Sequence, residues 1–156
     1  MGQELVRGEM IQYVLMGEPH VPAIAEIEKL CFSDPWSWNS ISSELSNPLS
    51  LWYVAMSGDR LVGYVGSQTV LGAADMMNIA VHPDFRRQGI GEGLIQTLIN
   101  GLSQNGANCL LLEVRESNSS AIHLYEKMGF QQVGRRPGYY RNPKEAALIM
   151  RKEWDA

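Results

Sequence analysis

The sequence predicts a single α/β domain over residues 1–156: a mixed, mostly antiparallel sheet of about seven strands flanked by about four helices. Three observations carry this. Residues 51–56 and 61–70 are strand-like runs separated by the hairpin signal Gly58-Asp59, and a further run over 75–81 follows the turn residue Gly72. Ile90, Leu94, Leu98 and Leu102, with Ile95 and Ile99 alongside, form an apolar stripe at helical spacing. Cys109-Leu110-Leu111-Leu112-Glu113-Val114 is then an apolar run of the kind covered on both faces, and a strand-helix-strand crossover makes it parallel to 75–81.

In chain order, residues 10–16 read as the first strand and 17–22 as a turn. A helix follows with Ile24, Ile27 and Cys31 on one face, and Ser33-Asp34-Pro35-Trp36-Ser37-Trp38 breaks it. A second helix spans about 39–45, and Asn47-Pro48 stops it. The two tryptophans suit the lining of a substrate groove and equally a plug between two short helices. Gly63 and Gly66 weaken the strand they sit in or let something pack closely against it. Ser117-Asn118-Ser119-Ser120 caps a helix over about 119–128 that Gly129 ends. Residues 130–136 and 146–152 are the last two strands, joined by a loop over 137–143 that carries Tyr139 and Tyr140.

Composition narrows the function. With 45% apolar and 19% charged residues the chain has the balance of a soluble globular protein with a core of its own. A net charge of −4 without a basic stripe argues against a nucleic-acid footprint. No run approaches the ~20 apolar residues of a membrane span. Glu4, Arg7 and Glu9 interrupt any secretory apolar segment, and Val6 stands where N-myristoylation after Met1-Gly2 wants Ser or Thr. The expectation is a cytoplasmic protein that binds neither nucleic acid nor membrane. Cys31 and Cys109 lie in apolar surroundings and read as buried thiols rather than a disulfide. His20, His82 and His123 show no ligand spacing with them, so no metal is expected.

The chemistry centres on the stretch from Asn78 to Gly91. Ile79, Ala80 and Val81 end a buried strand, Pro83 and Asp84 stop it, and Gly89 and Gly91 open the long helix. The first N–H groups of a helix have no partner inside it, and its positive end favours an anion. Arg86 and Arg87 add charge there, so the stretch reads as a phosphate cradle. A Walker loop is excluded because no Gly-Lys pair occurs. A dinucleotide fingerprint is excluded because Leu94 replaces its third glycine. What fits is Arg/Gln-x-x-Gly-x-Gly/Ala, carried by Arg86, Gly89 and Gly91. That pattern resembles the pyrophosphate motif of the GNAT acetyltransferases, which hold acetyl-CoA; the plain alternative is a basic, glycine-started surface helix.

Two further residues suit acyl transfer. Glu113 ends an apolar strand, where partial desolvation would raise its pKa toward that of a general base; the plainer reading of the residue by itself is a carboxylate at a strand's wet end. Tyr125, on the short helix that follows, is placed to protonate a departing thiolate, or is a core tyrosine with a satisfied hydroxyl. Asn118 caps that helix, touches a ligand, or does both.

Taken together, Asn78-Ile79-Ala80-Val81, Arg86 to Gly91, Leu112-Glu113-Val114-Arg115, Asn118 and the run Ala121 to Phe130 resemble the RimI family of GNAT enzymes, as do Pro35-Trp36-Ser37 and Tyr139-Tyr140. The resemblance covers nearly the whole chain. It implies the GNAT fold and acetylation, with acetyl-CoA as co-substrate, of the N-terminal alanine of small-subunit ribosomal protein S-eighteen. It puts the general base on Glu113 and the general acid on Tyr125. It pairs the pantetheine arm with the backbone of Ile79, Ala80 and Val81. It sets the pyrophosphate against Arg87, Gln88, Gly89, Ile90, Gly91 and Glu92, and adds Asn118 to the coenzyme site. Trp36, Tyr139 and Tyr140 would line the acceptor site. The alternatives are a GNAT enzyme for other protein N-termini, lysines or small amines, and a non-catalytic acyl-CoA-binding module.

Overall fold

The computed structural model describes residues 3–6 and 9–155. Its strands are β1 (Gln3–Val6), β2 (Glu9–Leu15), β3 (Ser50–Ser57), β4 (Arg60–Val70), β5 (Ala73–Val81), β6 (Cys109–Arg115), β7 (Gln131–Tyr140) and β8 (Glu145–Glu153). Its helices are α1 (Val21–Cys31), α2 (Trp38–Glu44), α3 (Ile90–Gln104) and α4 (Ser119–Lys127). All eight strands form one sheet in the order β1-β2-β3-β4-β5-β6-β8-β7. The expected strands are β2 to β8; β1, from the segment ahead of Met10, is the addition and pairs antiparallel with β2.

Every neighbouring pair is antiparallel except β5–β6, which the crossover through α3 makes parallel as expected. That parallel pairing is short: Ala73 faces Cys109, Ala74 faces Leu110 and Asp75 faces Leu111. Beyond it β5 stays on β4 as far as Val81, and β6 stays on β8 as far as Arg115. The two strands therefore part, and a wedge opens in the middle of the sheet. A bulge helps to bend β5 away. Gly66 faces Asn78 while Ser67 faces Met76, so Met77 is the extra residue.

The two faces of the sheet carry separate cores. On one, α3 lays Leu94, Ile95 and Leu98 over Tyr53, Ala55 and Val65, and Tyr125 of α4 joins them. On the other, Val21, Ile24 and Ile27 of α1 and Ile41 of α2 cover Trp52, Val54 and Tyr64. Trp52 and Tyr53 point to opposite faces, as strand alternation requires.

The glycines in β4 and α3 answer the sequence question about close packing. A Cβ on Gly66 would meet the Trp52 indole at 2.2 Å, and one on Gly101 would meet the Tyr53 hydroxyl at 2.2 Å. The loop expected over 137–143 is shorter than predicted. Residues 137–140 belong to β7, whose pairing with β8 is interrupted between Arg136 and Tyr140. Cys109 is buried as expected, whereas Cys31 is only half-buried. Among the described residues no helix is long and apolar enough to cross a membrane.

Candidate active site

The wedge has a backbone wall and a side-chain wall. The backbone wall is the end of β5. The His82 N–H donates to the Val62 carbonyl (2.8 Å), which fixes the alternation: Ala80 faces β4, and Ile79 and Val81 turn their backbone groups toward the wedge. The Ile79 N–H donates to Oδ1 of its neighbour Asn78 (3.0 Å). The Val81 carbonyl accepts from Nε of Arg86 (3.2 Å), and Nη2 of Arg86 lies 3.2 Å from Sγ of Cys31. Arg86 is thus turned toward α1, and the exposed Arg87 is left at the helix entry.

The stretch expected to cradle a phosphate lies at the start of α3. Arg87 (φ 61°) and Gly89 (φ 84°) both take left-handed backbone, which swings the chain into the helix. Gly93 N–H donates to the Gly89 carbonyl (3.0 Å), so the N–H groups of Ile90, Gly91 and Glu92 project from the helix end. Gln88 Nε2 reaches the Asp84 carbonyl at 3.5 Å. Glu92 is bridged to Lys127 of α4 (2.8 Å), which offsets an acidic charge that would otherwise oppose an anion.

The side-chain wall gathers Glu113, Tyr125, Tyr139 and Tyr140. Glu113 Oε2 lies 3.8 Å from Nη1 of Arg136, its side chain is 34% exposed, and the Tyr139 hydroxyl hydrogen-bonds to it. This carboxylate lies near the end of its strand, partly covered and beside a cation. Tyr125 is buried, and burial pushes its pKa up to about 12, with the neighbouring Tyr140 adding to the rise. Burial, then the Glu113 charge, raises Tyr140 to about 12 as well.

Tyr139 and Tyr140 meet edge to face at 5.1 Å. The Arg115 guanidinium stacks on Tyr140 at 4.4 Å and is held by Glu145 and by the Pro143 and Arg141 carbonyls. Asn118 caps α4 by accepting from the Ala121 N–H (3.2 Å). The Ser33 hydroxyl donates to the Asn142 carbonyl (3.4 Å), so the tryptophan loop and the β7–β8 turn touch. A groove of about 600 Å³ between α1 and Trp36–Trp38 contains neither Glu113 nor Tyr125.

One residue escaped the sequence reading. Glu28 of α1 is a carboxylate only 1% exposed. Its Oε1 accepts from the Trp36 N–H (2.7 Å), and its Oε2 accepts from Asn78 Nδ2 (2.6 Å) and from the Tyr64 hydroxyl. Burial raises its pKa, and the hydrogen bonds from Tyr64 and Trp36 pull the other way. The available signal was its place on the apolar stripe of α1, four residues after Ile24 and three before Cys31.

Comparison with known proteins gives the family and the fold. The acetyltransferase (GNAT) family profile matches residues 21–130. The ribosomal protein bS18-alanine N-acetyltransferase of Escherichia coli is 37% identical over 132 residues, covering 83% of this chain and 88% of that protein. The enzyme of the same name from Salmonella typhimurium is 37% identical over 139 residues, covering 87% and 93%. The crystal structure of the Escherichia coli enzyme superposes with a TM-score of 0.87 at 34% identity, over 94% of this chain and 96% of that one. With a parted parallel strand pair, a glycine-opened helix at its mouth and this degree of likeness, the chain belongs to the GNAT acetyltransferase family, in its RimI branch.

Proposed function

We propose that this protein transfers the acetyl group of acetyl-CoA to the N-terminal alanine of ribosomal protein bS18, the bacterial S-eighteen. The wedge between β5 and β6 carries the reaction type. It offers an extended backbone edge to one substrate and a carboxylate with two tyrosines to the other. The choice of acceptor is supported by likeness to enzymes that bear that name.

In this reading the coenzyme's pyrophosphate meets the N–H groups of Ile90, Gly91 and Glu92, with Arg87 and Gln88 at the entry. Its pantetheine arm runs along Ile79, Ala80 and Val81, and Asn118 flanks it. Trp36, Tyr139 and Tyr140 line the acceptor side. An α-amine has a pKa near ~8, so a modest fraction is neutral at pH 7 before any base acts. Glu113 takes the remaining proton, directly or through a water, and the amine attacks the thioester carbonyl. The outward N–H of Val81 stabilises the oxyanion.

Tyr125 then meets the departing sulfur. Burial raises the pKa of its phenol above the ordinary tyrosine value, so it stays protonated at neutral pH. Tyr125 therefore acts chiefly as a neutral hydrogen-bond donor to the sulfur, and the proton that ends on the thiol comes from the amine. No covalent enzyme intermediate is needed, and much of the rate comes from holding two substrates in one cleft.

The test is mass spectrometry of the protein with acetyl-CoA and a lysine-containing peptide bearing the bS18 N-terminus, with Glu113→Gln as control. One acetyl group on the α-amine, largely lost in the control, is the expected result. Coenzyme binding without α-amine acetylation would overturn the acceptor and leave other amines to be tried.

A further inference from the structure

The buried Glu28 carboxylate joins the two halves of the site. Its three hydrogen-bond donors come from three places: Trp36 in the loop between α1 and α2, Tyr64 in β4, and Asn78 at the bulge of β5. Asn78 is two-handed. Its Nδ2 donates to Glu28 while its Oδ1 accepts from the Ile79 N–H. That N–H is one of the wedge-facing groups assigned above to the pantetheine arm. A coenzyme carbonyl that takes the Ile79 N–H must displace Asn78 Oδ1, and the freed amide re-aims its Nδ2 against Glu28. The carboxylate then leans more heavily on its remaining donors, one of which is the Trp36 backbone. A buried carboxylate is sensitive to this because each of its donors offsets part of the cost of keeping charge out of water.

We propose that Glu28 is a positioning residue that, through Asn78, transmits occupancy of the coenzyme strand to the acceptor loop at Trp36. The inference rests on the coenzyme reading given under the proposed function. It assigns to the coenzyme a second task, that of setting the loop before the peptide arrives. By linkage, a peptide held by the loop raises coenzyme affinity by the same factor.

The experiment is amide hydrogen exchange at Trp36, read by NMR on the full chain with and without CoA. Exchange reports the Trp36 N–H to Glu28 bond itself and needs no turnover. CoA is expected to slow Trp36 exchange by about fivefold or more, the lower end of ordinary coupling between sites. Asn78→Ala removes both of that residue's bonds and is expected to bind CoA without changing Trp36 exchange. Glu28→Gln places an N–H₂ donor against Nδ2 of Asn78 while keeping an acceptor for Trp36, and is expected to lose the response too. Tyr64→Phe leaves the Asn78 and Trp36 links intact and should keep it. CoA binding with Trp36 exchange unchanged in the unmodified protein would overturn the inference alone. So would a response retained in Asn78→Ala or lost in Tyr64→Phe. Absence of CoA binding by calorimetry would overturn the coenzyme reading and this inference together.

Discussion

Replacing Gly66 by alanine should destabilise the fold far more than a methyl group normally does. Gly66 and Trp52 face each other across β4 and β3, and the indole lies flat over the glycine. An added Cβ would fall 2.2, 2.3 and 2.4 Å from Cε2, Cδ2 and Cζ2 of that ring. The ring must retreat by more than about 1 Å to reach ordinary contact, and it has little room. Trp52 is 4% exposed, stacked on Tyr64 at 6.1 Å and edge-on to Trp36 at 5.5 Å. Its Nε1–H donates to Glu44 Oε1 at 3.2 Å. Overpacking costs about 1–3 kcal/mol, and a strained hydrogen bond to a buried carboxylate adds about 1.5 kcal/mol. The alanine recovers roughly 0.5 kcal/mol of backbone entropy. The net loss is about 3 kcal/mol, which for a domain of this size lowers Tm by about 6–12 °C. Differential scanning calorimetry reads it directly. Gly17→Ala is the matched control, because its nearest neighbour would lie at 3.6 Å. A Gly66→Ala protein melting within about 2 °C of the parent would refute the packing argument.

Three further outcomes follow from the site. Tyr125→Phe removes a hydrogen-bond donor to the departing sulfur and should lower kcat about 100-fold with little change in peptide KM, as measured by release of the CoA thiol; a change under threefold would remove Tyr125 from the chemistry. Arg87→Gly relieves a left-handed arginine (φ 61°) and should gain about 1 kcal/mol of stability while weakening CoA binding. Thermal melts and calorimetry check the two signs separately. Glu28 has a raised pKa when folded, so the folded state holds its proton longer than the unfolded chain does. Stability should therefore fall as pH rises from the ordinary glutamate value through the folded one. Urea titrations should find that slope reduced in Glu28→Gln.

Much of the architecture was legible because its signals are local. Gly58-Asp59 marks the β3–β4 hairpin, the Leu94–Leu98–Leu102 stripe marks α3, and the crossover rule orients β6. The misses have non-local causes. β1 gains its place only by pairing with β2, and the extension of β7 past Arg136 ends on a single distant pairing, Tyr140 with Glu145. The wedge depends on where β5–β6 pairing stops, and no run of residues in either strand encodes that alone. The turn into α3 was legible from Gly89 and Gly91, but the turn of Arg86 toward Cys31 was not, since its partner lies 55 residues away. Glu28 was hidden for the same reason: its donors arrive from residues 36, 64 and 78.

The early end of the β5–β6 pairing also bears on how the protein avoids its own kind. An unpaired strand edge invites another strand, and on the outside of a sheet it promotes aggregation. Here the inviting edge of β5, from Met76 to Val81, is turned inward between two halves of one sheet. A neighbouring molecule can reach it only by threading in from the mouth. A strand already paired on both sides within its own sheet has no free edge to offer it. A slender extended ligand or the free end of a chain has one. The same geometry thus favours loose extended ends over strands already committed to a sheet.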